Sequence, residues 1–72
     1  MSQRPKTEYI HEGRLVVCVA VTEIEPDSEW SPYYSIKDVR RLQSARDALR
    51  RGDLKAAGRL GSVYALTPVA AE

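Results

Sequence analysis

A chain of 72 residues has room for one domain, and a domain of this size buries only about 60% of the surface its unfolded chain exposes, so self-association is a common remedy for a small core. With one cysteine it can form no internal disulfide and has no zinc-ligand spacing. The net charge of +1 hides a split: residues 1–35 carry three basic and six acidic residues, a balance of −3, whereas residues 36–60 carry eight basic and three acidic ones, a balance of +5. Such a split marks either an anionic partner or two halves of one domain that complement each other.

Residues 1–6 are polar and read as a frayed, disordered N-terminus, with a single domain over 7–69 and a frayed end over 70–72. Residues 7–11, then Glu12-Gly13, then a β-branched run predict a β-hairpin with Gly13 in the turn. The second strand, about 14–25, is apolar on both faces. Leu15, Val17, Val19 and Val21 alternate with Val16, Cys18, Ala20 and Ile24. A strand with one solvated face alternates with polar residues instead, so both faces of this one are expected to be covered, and one helical layer covers only one of them.

Its apolar core, "LVVCVAV", is too short to span a bilayer and lies behind a polar start unlike a secretory signal. The chain therefore reads as soluble and cytoplasmic, with no membrane partner. Residues 25–29 form a polar connector. Ser35 is an N-cap candidate with Asp38 as its capping-box partner and Tyr34 stapled on Val39. The helix runs to about 50 or 51, Gly52 stops it, and Asp53 caps a short second helix over 54–60. A last strand over 62–67 ends at Pro68.

Placed at 100° intervals, Val39, Leu42, Ala45 and Leu49 share one face of the first helix, while Arg40, Ser44, Asp47 and Arg51 share the opposite one. The arginines thus have structural uses, in an Asp47–Arg51 pair and against the helix dipole. Arg40, Arg41, Arg50, Arg51, Lys55 and Arg59 are the candidate nucleic-acid contacts, although a second helix rich in Ala, Gly and Leu makes a poor base reader. His11 reads as an exposed turn residue and Cys18 as an inert strand thiol. Glu23, Glu25, Asp27 and Glu29 lack the glycine and ligand order of a calcium loop. No catalytic, metal-ligating or cofactor-binding residue stands out. Trp30, Tyr33 and Tyr34, around a proline, suit either a partner contact or a lid on the core.

The segments "EYIHEGR", "WSPYYSIKDVRRL", "ALRRGDLKAA" and "VYALTPV" resemble a family of small, uncharacterised bacterial proteins, a likeness that spans residues 8–69. The resemblance implies a bacterial cytoplasmic protein of a kind associated with toxin–antitoxin-like gene pairs, and it carries over no catalytic residues.

The sequence therefore predicts an α+β domain in the order ββααβ, a three-stranded, mainly antiparallel sheet with a helical hairpin on one face. The leading functional expectation is a non-enzymatic interaction module that forms a homodimer by sheet-face packing or strand exchange. It takes a protein partner, as an antitoxin does, through Trp30, Tyr33, Tyr34, Val16, Cys18 and Ala20. Nucleic-acid binding by the basic helices is the alternative, and a small-molecule enzyme comes third.

Overall fold

The computed structural model describes residues 2–27 and 31–70. Strands β1 (Ser2–Glu12) and β2 (Leu15–Glu25) form one antiparallel hairpin in continuous register, from Ser2 opposite Glu25 to Glu12 opposite Leu15. Gly13 has φ 59° and, among the described residues, no residue type but glycine has positive φ, so the two-residue turn Gly13-Arg14 has the sign pattern of type II′, whose twist suits a hairpin. The expected fraying of residues 1–6 is corrected from Ser2 onward; Met1 lies outside the described residues. Charge ties this segment down: Arg4 is bonded to Glu25, and Lys6 Nζ lies 3.3 Å from Glu23 and 3.6 Å from Glu8.

Strand β3 (Tyr33–Tyr34), helices α1 (Ile36–Arg50) and α2 (Leu54–Leu60), and strand β4 (Ser62–Ala65) follow. The architecture is α+β, as expected, but the antiparallel sheet has four strands. β3 pairs with residues 23 and 24 of β2 while β4 pairs with residues 15–18 of the same edge. A two-residue strand carries no periodicity, which is why the sequence did not reveal β3. β4 is also shorter than the expected 62–67: Leu66 donates its N–H to the Arg14 carbonyl at 2.6 Å, and Thr67 and Pro68 lie beyond the ladder.

The helix ends obey their capping residues. Ser35 Oγ accepts the Asp38 N–H at 3.2 Å and the Asp53 carboxylate accepts the Ala56 N–H at 3.1 Å. After α1, Gly52 at φ 72° donates to the Leu49 carbonyl and Asp53 to that of Ala48, the paired bonds of a Schellman motif. Arg51 is turned toward Asp53 at 3.8 Å rather than toward the expected Asp47.

Between β3 and β4, residues 19–22 of β2 have no strand along their outer edge. Side chains of α1 fill the gap. Asp38 Oδ2 accepts the Thr22 N–H at 2.9 Å and Arg41 donates to the Ala20 carbonyl at 2.9 Å, while Arg41 and Asp38 pair with each other at 3.2 Å. Asp38 is buried and its carboxylate serves this edge, not the capping-box bond expected of it. The Thr22 N–H holds its pKa below the ordinary value, against the effect of burial and with help from Arg41.

The core lies between the sheet and α1: Ile10, Val17, Val19 and Val21 meet Ala45, Ala48, Leu49 and, from α2, Ala57. Alanines on the helix let it settle closely on the valines of β2. Leu42 packs at the margin, but Val39 is 40% exposed, so its expected place in the core is corrected. Arg41 and Asp38 occupy the inner side of the first turns instead, because the sheet edge there needs polar partners. Where α2 gives way to β4, Gly61 passes so near β2 that a Cβ would stand 2.2 Å from the Cys18 carbonyl oxygen.

Gly61→Ala is expected to destabilise the protein by at least about 1–3 kcal/mol, since β4 must move off β2. At Gly58 a Cβ meets nothing within 4 Å, and Gly58→Ala should stabilise by about 0.5–1 kcal/mol through helix propensity; urea denaturation of the two variants checks the contrast. The lowered pKa of Asp38 stabilises the fold above its unfolded-state value of about 3.9, and that contribution is lost as pH falls through the still lower folded-state value. Denaturation midpoints from pH 6 to about pH 2 should fall in the parent below about pH 4 and fall less steeply in Asp38→Asn.

Candidate functional site

Strand alternation together with the register divides the sheet into two unlike faces. One lies under the helices. The other bears Gln3, Pro5, Thr7, Tyr9 and His11 from β1, Val16, Cys18, Ala20, Thr22 and Ile24 from β2, Tyr33 from β3, and Ser62 and Tyr64 from β4. None of these is Asp, Glu, Lys or Arg, in a chain that is 29% charged. The Cα trace measures 15 Å through its thinnest dimension, one helical layer on one sheet, so among the described residues this second face meets no further layer. Tyr9 is 67% exposed and Tyr64 56%. With His11, Val16, Cys18 and Leu66 they line a shallow groove of about 630 Å³.

The expected contact residues Val16, Cys18 and Ala20 all lie on this face. Val16 is itself buried between its neighbours, Cys18 is half-buried, and Ala20 is exposed. Tyr9, Tyr64 and Leu66 were missed by sequence reading, since only the register places them beside β2. The expected aromatic cluster divides: Tyr33 is on the uncharged face, whereas Tyr34 is half-buried against the core on the other side. Trp30 lies outside the described residues, as do residues 28 and 29 of the connector and the terminal 71 and 72.

The helix-side face carries the charges that the other lacks. Tyr34 donates its hydroxyl proton to Glu8, with the Lys6 amine 5.9 Å from its ring centre. That carboxylate raises the tyrosine pKa above its ordinary value, burial adds to the effect, and Lys6 opposes it; Lys6 is itself raised, by Tyr34 first and then by Glu23. Glu23 and Glu25, expected in a solvated acidic run, are ladder residues paired with Arg4 and Lys6. The group binds β1, β2 and β3 together.

The six candidate nucleic-acid residues do not make one free stripe. Arg41 is committed to Asp38, the Ala20 carbonyl and, at 3.4 Å, the Leu60 carbonyl. Arg50 lies 3.5 Å from Glu12 and Arg51 pairs with Asp53. Arg40, Lys55 and Arg59 are exposed. His11 belongs to β1, not to the turn, and points onto the uncharged face. Among the described residues, no three His, Cys, Asp or Glu side chains are grouped to hold a metal ion, and no helix is long and apolar enough to cross a membrane. No protein-family model matches the chain, and no curated protein or solved structure matches it.

Neighbouring substitutions separate the two faces. Val19→Lys places a charge in the fully buried layer and should abolish cooperative folding. Ala20→Lys, one residue on and exposed, should leave stability within about 0.5 kcal/mol of the parent. Thermal melts followed by circular dichroism measure both.

Proposed function

We propose that the chain is a non-enzymatic protein-interaction module that works as a homodimer and offers the uncharged face of its sheet to a protein partner. The observation that carries this reading is the absence of Asp, Glu, Lys and Arg from a whole sheet face. Depletion of charge and enrichment in tyrosine distinguish the centres of protein interfaces from ordinary surface. A sheet face that meets only water commonly mixes charged residues among its polar ones, and this one carries none. A bacterial cytoplasmic, antitoxin-like role belongs to the same reading, because covering a partner protein needs a contact surface and no catalytic group.

The dimer is expected to sediment at about twice the 8.1 kDa of the chain at micromolar concentration. Sedimentation equilibrium checks this, and a mass that stays at the monomer value overturns the homodimer. Partner binding by the uncharged face should change little between 50 and 500 mM salt. Steeply salt-dependent binding to a random DNA or RNA duplex would favour the basic helices in its place.

A further inference from the structure

Backbone direction along β2 decides where two copies meet. The Thr22 N–H and the carbonyls of Ala20 and Arg14 all point away from β1, toward Asp38, Arg41 and Leu66. N–H and C=O groups alternate sides along a strand, so the odd-numbered residues of β2 face β1. Their partners Lys6, Glu8, Ile10 and Glu12 exchange the hairpin hydrogen bonds. Gln3, Pro5, Thr7, Tyr9 and His11 therefore turn their backbone groups outward, along an edge of β1 that pairs with no strand among the described residues.

That edge is protected in one half only. Pro5 offers no N–H at an outward position, one of the devices that keep sheet edges from pairing. Residues 7–11 hold three outward N–H groups, on Thr7, Tyr9 and His11, with no such block. An open edge of this kind is a template for another strand.

We propose that the outer edge of β1 over residues 6–12 is the seam at which a second copy of this chain joins, antiparallel and centred on Tyr9. The inference rests on the homodimer reading and specifies its geometry. Tyr9 then opposes the second copy's Tyr9, and Thr7 opposes its His11. Lys6 opposes its Glu12, so opposite charges face each other at both ends of the seam. Centring on Glu8 sets like charges together. Centring on Thr7 brings Pro5 opposite Tyr9 twice and forfeits two donors. The Tyr9 register alone combines a full set of donors with complementary ends.

Area favours the same choice. Strands of 11 residues at about 3.3 Å per residue, spaced about 4.8 Å apart, give one copy a flat face on the order of 500 Å². That is below the roughly 800 Å² per partner of a standard protein interface. A two-fold seam keeps both helical layers on one side and merges the uncharged faces on the other into a surface on the order of 1,000 Å². The groove beside Tyr9 and His11 is completed by the second copy's Thr7 and Tyr9.

The test is sedimentation equilibrium of three variants. Tyr9→Pro removes an outward N–H that the hairpin does not use and should weaken the dimer more than tenfold while circular dichroism stays native. Tyr9→Ala, which keeps the N–H, and Ala20→Lys, in the middle of the face, should remain dimeric. A dimer that survives Tyr9→Pro but dissociates in Ala20→Lys is joined face to face, which overturns the seam and leaves the homodimer intact. A monomeric parent overturns both. If Tyr9→Pro does not fold, Tyr9→Cys in a Cys18→Ala background decides: directly opposed, hydrogen-bonded residues have Cα atoms about 5.5 Å apart, within disulfide reach. Mild oxidation should yield a covalent dimer, and its absence overturns the seam.

Discussion

The hydrogen-bonding demands of β2 govern the rest of the molecule. This one strand has two edges and two apolar faces to satisfy, and every other element is placed by one of them. β1 takes one edge along its whole length, and β3 and β4 take the two ends of the other. Between them the Thr22 N–H and the Ala20 carbonyl are served by Asp38 and Arg41, which reach over from α1. An unpaired buried backbone group costs about 1–3 kcal/mol. In a domain whose largest fully buried side chains are Val17 and Val19, losing even the one part-buried bond of the Thr22 N–H is a sizeable share of the total stability.

Segregation of charge follows from the same arrangement. On the helix side of the hairpin Arg4, Lys6, Glu8, Glu23 and Glu25 pair among themselves at the margin of the apolar core. The opposite side needs no such network and holds none. A surface without charge imposes little desolvation penalty when something covers it, and this makes it a better candidate for contact than the arginines of α1 and α2. Half of those arginine and lysine candidates already answer to carbonyls or carboxylates of their own chain.

Much of the fold was legible in the sequence because local chemistry marked it. Gly13, Ser35, Gly52 and Asp53 each sit at the turn or cap their residue type favours, and the helical hairpin packs on one face of the sheet, as its apolar stripe announced. What escaped had non-local causes. Pro5 and the polar residues around it hid the first half of β1. A proline is tolerated there because its nitrogen faces outward, a matter of register and not of composition. Val39 shares the helical stripe of Leu42 and Leu49 yet is displaced from the core, because the sheet edge beneath the first turns requires Asp38 and Arg41. Tyr9 and Tyr64 could be joined to Val16 only once three strands were aligned.

The side-chain bridge from α1 to β2 also bears on how the chain folds. In a sheet completed by strands alone, pairing can precede the docking of helices. Here the Thr22 amide and the Ala20 carbonyl gain their partners only when α1 is in place, and α1 brings Asp38 into position only when Ser35 has started the helix beside β3. Sheet completion and helix docking are thus parts of one cooperative event. An excursion in which α1 lifts away bares the middle of β2 on its outer edge, next to a strand whose other face is already apolar. Any lasting detachment of that helix turns a closed sheet into a sticky strand, so its docking guards the chain against aggregation as much as it stabilises the core.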